Sequence, residues 1–262
     1  MEAVPQSILS VFVNLFILQV RPSIALGFSP FFGFQSILGL PRRSFFVITA
    51  LIACPMLWPT LEGKTFSQIQ IVLMVLHEAI IGMVLGFASG IPFWAIESAG
   101  QIIDLQRGTT AGSLFNPQLG TVTSPLGNLM LRFFSAYFYA TGGFLLFIGV
   151  LFASYEFLPL VPQLPSWHTG GGTSILELMT LFFRLTMVYV CPFLVAFLLI
   201  DFGLGLMNRF VPSLNVFFFS LPVKSMLALI LMALCLVTLT EVFRRDILVS
   251  PMLKDFLQTV FR

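Results

Sequence analysis

The chain has 262 residues, of which 58% are hydrophobic and only 9% are charged, and its mean hydropathy is +1.00. Because an average soluble domain is about 25% charged, this composition indicates an integral membrane protein. The formal net charge of +2 is too small, and the basic residues too scattered, for a nucleic-acid-binding protein.

The apolar segments predict an all-α membrane protein, since about 20 apolar residues cross a bilayer core. The first residues, Met1 to Pro5, contain no basic residue, so no cleavable signal peptide is predicted. We expect six apolar helices in a single domain, 1–262. Their approximate bounds are 8–30, 44–60, 69–96, 126–154, 178–200 and 214–240.

Prolines are expected to interrupt these helices, because proline lacks the backbone N–H of a helical residue. Arg21-Pro22 is expected to break the first helix and Pro192 to kink the fifth.

The membrane orientation predicted from basic residues is inconsistent. With Arg42 and Arg43 in the cytoplasm, six simple crossings also place Arg107 and Arg209 inside but leave the basic C-terminal tail outside. Either one segment is a re-entrant hairpin, or the helices are not ordinary spans.

Three glycines, Gly82, Gly86 and Gly90, recur every four residues on one face of the third helix. Small residues at this spacing let helix backbones approach closely. We therefore expect tight packing there, within the chain or against a partner subunit.

Five charged residues lie inside or at the ends of apolar segments: Glu78, Arg132, Arg184, Asp201 and Lys224. Each would cost about 2.5–3.5 kcal/mol at a bilayer centre, so they should face protein or water. Such charges serve as proton relays in transporters, or they pair between helices or subunits, or they snorkel to the membrane surface near the helix ends.

Signals of an enzyme or a cofactor site are absent from the sequence. His77-Glu78 starts like a zinc-protease helix, but Ile81 occupies the position of the second histidine. Ser89 lacks the flanking glycines of a nucleophile elbow. The three cysteines, each isolated in an apolar run, are expected to be small core residues. We predict no enzyme, metal or cofactor.

A polar, uncharged segment follows Arg107. From Gly108 to Gly127, 14 of 20 residues are Gly, Pro, Ser, Thr, Asn or Gln, and none ionises. Irregular backbone at membrane depth survives only where it is buried in protein or lines a watery cavity. We therefore predict a channel loop at 107–124 as the functional segment.

Two motifs resemble a known family. One starts with Gly82-x3-Gly86, reads Glu-Ser-Ala-Gly-Gln-Ile-Ile-Asp-Leu-Gln-Arg-Gly from Glu97 to Gly108, and ends with Phe-Asn-Pro at 115–117. The other reads Leu-Gly-Leu-Met-Asn-Arg-Phe-Val-Pro-Ser-Leu-Asn at 204–215, followed by Phe-Ser-Leu-Pro at 219–222. They are similar to the FliR/SctT family, the single-copy export-gate subunit of flagellar and virulence type III secretion systems.

The resemblance is to the virulence (injectisome) branch. Ile103–Gly108 and Thr123–Gly127 are similar to that branch, whereas flagellar members carry Asp-Pro where this chain has Asn116-Pro117.

The family resemblance implies a subunit of helical hairpins, similar to a fusion of the R- and S-type subunits. One copy would close a helical ring of about five R-type and about four S-type subunits. It would contact the U-type switch protein, the V-type export gate, rod and needle components, unfolded proteins in transit and membrane lipid. The family's location implies the bacterial inner membrane, with the core raised toward the periplasm, which would explain the inconsistent crossings.

The hypothesis for the channel loop is a seal that moves aside during export. An uncharged, glycine-containing loop offers no fixed charge to hold a passing chain, and Leu114 and Phe115 would form the apolar plug. A static connector is the alternative. The proposed loop residues are Gln106, Arg107, Gly108, Gly112, Leu114, Phe115, Asn116, Pro117 and Gly120.

Five further residues are expected to be structural: Asp201, Asn208, Arg209, Pro212 and Lys224. Asn208 and Arg209 would cap a helix end and hydrogen-bond across a hairpin, or Arg209 would lie on the surface.

The alternative function is a small-molecule secondary transporter that uses Glu78, Arg132 and Asp201, although the internal repeat common in such proteins is not evident. An intramembrane enzyme would need a nucleophile and a base close together, and no such pair is evident.

Overall fold

A computed structural model describes residues 6–32, 40–61, 67–108, 124–162, 171–211 and 216–247. Side chains are described for 12–32, 44–55, 67–108, 124–162, 176–211 and 218–245. Helices account for all regular secondary structure in these ranges, so the predicted all-α fold class is confirmed.

Seven α-helices and one short 3₁₀ turn, Pro30–Phe32, are present in the described ranges. The helices are α1 (Gln6–Phe28), α2 (Leu40–Leu61), α3 (Gln68–Gln106), α4 (Pro125–Ala140), α5 (Gly143–Phe157), α6 (Gly171–Phe210) and α7 (Val216–Ile247).

The sequence predicted one continuous fourth helix, 126–154, and this was wrong, because the structure has two helices there. At the end of α4, the Thr141 N–H donates to the Tyr137 carbonyl at 2.9 Å. Gly142 is the N-cap of α5 and has a φ of 78°. A left-handed φ is disfavoured in residues with a Cβ, so glycine permits the break.

The predicted break at Arg21-Pro22 was also wrong, since α1 continues through both residues. Pro22 cannot donate to the carbonyl four residues earlier, that of Leu18. The Tyr155 hydroxyl donates to this carbonyl instead, at 3.3 Å. A contact from a distant helix thus replaces the missing hydrogen bond.

Three helical segments are long and apolar enough to cross a membrane: Gln68–Gln106, Leu176–Phe210 and Phe218–Arg245. The α4–α5 pair would make a fourth if it is counted as one broken span. Phe12–Phe28 and Ser44–Pro55 are shorter apolar helices. The described residues therefore contain fewer full-length spans than the six simple crossings tested above.

The chain forms two compact units. The first comprises residues 1–90, 142–178 and 248–262, and the second comprises 91–141 and 179–247. The helices α3 and α6 each contribute to both units. The single domain expected from the sequence stays a prediction.

A buried ion pair organises the first unit. The guanidinium of Arg21, fully buried, donates from Nε and Nη2 to the two oxygens of Glu78, each at 2.8 Å. It also donates to Ser154 Oγ and to the Leu158 carbonyl at 2.9 Å, and it lies 4.0 Å above the Tyr155 ring. Since buried charges are tolerated only when paired, this network fixes α1 against α3 and α5.

Glycines bring α1 and α3 together. A Cβ on Gly82 would lie 2.7 Å from the Arg21 carbonyl oxygen. One on Gly86 would overlap the Ala25 carbonyl oxygen and lie 2.9 Å from Phe28 Cβ. Gly90 is also buried on α3. The two helices therefore approach at a distance that only glycine allows.

Gly86→Ala should destabilise the protein by about 1–3 kcal/mol, because the added methyl group overlaps the α1 backbone. Gly149→Ala is the matched control, since a Cβ there meets nothing within 4 Å. Thermal unfolding of the detergent-extracted protein measures both. Equal unfolding temperatures for the two variants would contradict the close packing.

Candidate functional site: the stem of the polar segment

The structure describes both ends of the predicted channel loop. Gln106 ends α3, Arg107 and Gly108 form a turn, and Ser124 precedes α4. We call residues 104–108 and 124–127 the stem. Six predicted loop residues lie outside the described residues: Gly112, Leu114, Phe115, Asn116, Pro117 and Gly120.

The buried carboxylate of Asp104 binds both ends of the stem. Its Oδ1 atom accepts from Arg107, 2.7 Å from Nε and 2.6 Å from Nη2. Its Oδ2 atom accepts from Ser124 Oγ at 2.6 Å and from the Leu126 N–H at 2.9 Å. One side chain on α3 therefore connects the two ends of the predicted channel loop, 107–124.

Local sequence explains why α4 begins where it does. Ser124 is the N-cap, with its Oγ accepting from the Gly127 N–H at 3.0 Å, and Pro125 occupies the first helical position. Both residue types are favoured at these positions. The Asp104 carboxylate accepts a further N–H at this terminus, where the helix dipole favours negative charge.

Two glycine positions make the stem compact. A Cβ on Gly100 would lie 2.6 Å from Gly127 Cα, so α3 and the start of α4 are in backbone contact. Gly108 has φ 79°, and a Cβ there would overlap the Leu221 side chain. The turn thus requires glycine at position 108 for two reasons: its φ is left-handed, and the Leu221 side chain leaves no room for a Cβ.

The predicted structural residues Asp201 and Lys224 form an ion pair. Lys224 Nζ lies 2.7 Å from the Asp201 carboxylate, and it also lies 3.4 Å from the Gln106 carbonyl oxygen. Lys224 is buried, whereas the Asp201 side chain is 49% exposed.

Other predicted residues are not brought into the stem. Asn208 and Arg209 lie exposed in the last turn of α6, and Pro212 lies outside the described residues. Their contact across a hairpin stays a prediction. Arg132 on α4 and Arg184 on α6 are also exposed.

Asp104, Ser124 and the Gly100–Gly127 contact were not expected from the sequence as parts of the site. The Ser124-Pro125 pair was a recognisable helix start and could have located the end of the polar segment. The connection from Asp104 to Ser124 spans 20 residues, and no local pattern indicates it.

The fold and the stem define an integral membrane protein whose helices hold the two ends of a polar segment together. A family model described as bacterial export proteins, family 1, matches residues 12–248. The chain belongs to this family, the FliR/SctT family of type III export proteins. Members are structural components of an export apparatus, so the chain is not an enzyme.

Individual relatives agree with this assignment. The Yop proteins translocation protein T of Yersinia pestis is 34% identical over 196 residues, covering 73% of this chain and 75% of that protein. The surface presentation of antigens protein SpaR of Salmonella typhimurium is 32% identical over 213 residues, covering 79% and 76%. The flagellar biosynthetic protein FliR of Bacillus subtilis is 23% identical over 241 residues, covering 91% and 92%. These identities fit the predicted likeness to the virulence branch.

Asp104→Asn should destabilise the folded chain by about 2–3 kcal/mol, because an amide cannot accept hydrogen bonds at both ends of the stem. Glu241→Gln makes the same chemical change in an exposed pair with Arg244 on α7 and should have no measurable effect. Thermal unfolding of the extracted protein compares them. A stem variant as stable as the control would show that the Asp104 contacts contribute little.

Proposed function

We propose that this chain is the single-copy export-gate subunit that closes the ring of R- and S-type subunits, about five and about four copies, in the bacterial inner membrane. Its channel loop, 107–124, seals the channel at rest and moves aside when unfolded proteins pass. The stem supports this proposal most directly, since Asp104 binds residues at both ends of that loop.

The composition of the segment suits a seal. A loop over which polypeptides of any sequence slide should have no charge to bind them, and 108–127 has none. Arg107, the nearest charge, is neutralised by Asp104. A seal that opens must be anchored at its ends while its central residues change conformation. The stem anchors the two ends.

The exposed surfaces of the apolar helices support assembly with other subunits. In the most hydrophobic 18-residue stretches of α6 and α7, only 17% and 22% of the residues are buried within the chain, whereas 44% are buried in that of α3. Exposed apolar surface of this extent requires lipid or protein contact. We assign it to the R- and S-type neighbours, with the U-type switch protein, the V-type gate and rod or needle components as further partners.

The transporter alternative is weakened by the pairing of two of its three proposed coupling charges. Glu78 is bound on both oxygens by Arg21, and Asp201 is paired with Lys224. A coupling charge must exchange partners during transport, whereas both oxygens of Glu78 are already hydrogen-bonded to one guanidinium.

Deleting Gly112–Gly120 should increase small-ion leakage through the assembled export apparatus while the chain still assembles. The measurement is conductance or dye uptake in cells in which secretion is idle. The control replaces the same nine residues with an uncharged Gly/Ser segment of equal length. It tests whether ion leakage is limited by a loop of that length alone or by its specific sequence. If the deletion variant leaks no more than the natural chain, the loop is a static connector instead.

Mild detergent extraction followed by native mass measurement tests the assembly. We expect one copy of this chain in a complex of about ten subunits. A monomer or homodimer that retains ion-coupled uptake of a small molecule would support the transporter instead.

A further inference from the structure

Lys224 has two acceptors on two different helices. Its Nζ atom lies 2.7 Å from Asp201 on α6 and 3.4 Å from the Gln106 carbonyl oxygen at the end of α3. Nζ also lies over the Phe197 ring of α6, 5.9 Å from its centroid. The ammonium group of α7 therefore joins α6, α7 and α3 at one point.

The end of α3 favours a cation at this point. The last carbonyls of a helix lack intrahelical partners and carry partial negative charge. The last turn of α3 contains no basic residue, and the following Arg107 turns back onto Asp104. The positive charge beside the Gln106 carbonyl is thus supplied by α7.

A second contact from the same face of α7 reaches the stem. Leu221 lies three residues before Lys224, on the same side of the helix, and its side chain occupies the space that a Cβ on Gly108 would need. Two α7 side chains therefore contact successive parts of the stem, Gln106 and Gly108.

We propose that Lys224 is a positioning residue that connects the α6–α7 pair to the stem, with Asp201 holding its ammonium group in place. Movement of α6 or α7 would then be transmitted to the beginning of the polar segment. The consequence for channel opening rests on the proposed function above. The connection itself concerns only described contacts and is testable without reference to export.

The experiment measures trypsin cleavage after Arg107 in the detergent-extracted native complex. In the natural chain the Arg107 side chain is 12% exposed, so cleavage should be slow. Lys224→Met should accelerate it roughly tenfold, because proteolysis follows the open population of the stem. Cleavage after Arg209, which is exposed at the end of α6, serves as the internal reference and should not change.

Three matched variants separate the connection from general stability. Lys224→Arg keeps a donor for both acceptors and should restore slow cleavage. The exchange Asp201→Lys with Lys224→Asp restores an ion pair but places a carboxylate beside the Gln106 carbonyl, so cleavage should stay fast. Leu221→Ala keeps both charges and should accelerate cleavage severalfold, so the test remains informative if Lys224→Met fails to fold.

Slow cleavage in Lys224→Met and in Leu221→Ala would overturn the connection, and so would slow cleavage in the exchanged pair. The proposed seal would be unaffected by these results, since it is tested by leakage after deletion of Gly112–Gly120.

Discussion

The carboxylate of Asp104 accepts hydrogen bonds from Arg107 at the beginning of the channel loop, 107–124, and from Ser124 and Leu126 at its end. The turn after α3 and the start of α4 thereby share one acceptor, and the Gly100–Gly127 contact brings their backbones together. The buried, charge-assisted hydrogen bonds to Asp104 offset the conformational entropy lost when the two ends are fixed.

The same constraint, pairing of charges in an apolar chain, operates elsewhere. In the first unit, Arg21 and Glu78 form a fully buried bidentate pair, while in the second, Lys224 pairs with Asp201 and faces the end of α3. Removing one member of such a pair leaves a charge without a partner, at a cost of about 3–5 kcal/mol when it is fully buried. These charges therefore specify helix packing, and the chemistry expected of transporter relays is not required to explain them.

Composition and the lengths of the apolar segments predicted the all-helical membrane fold, and the motifs at 97–108 and 204–215 predicted the family. Long-range contacts explain what was missed. Pro22 does not break α1, because Tyr155 binds the carbonyl that the proline leaves unbonded. The break at Thr141-Gly142 depends on a left-handed glycine, and the sequence alone did not distinguish it from a glycine of a packed helix. Asp104 was visible only as part of a motif, because two of its partners, Ser124 and Leu126, lie 20 and 22 residues away.

In the function that we propose, the stem acts on the channel through the loop whose ends it holds. Ion leakage measured in Asp104→Asn with and without the deletion of Gly112–Gly120 tests this coupling. If the stem acts through the loop, Asp104→Asn raises leakage in the full-length chain but adds nothing to the leakage of the deletion. Leakage that adds independently in the double variant would contradict the coupling, because the stem would then affect the channel without its loop.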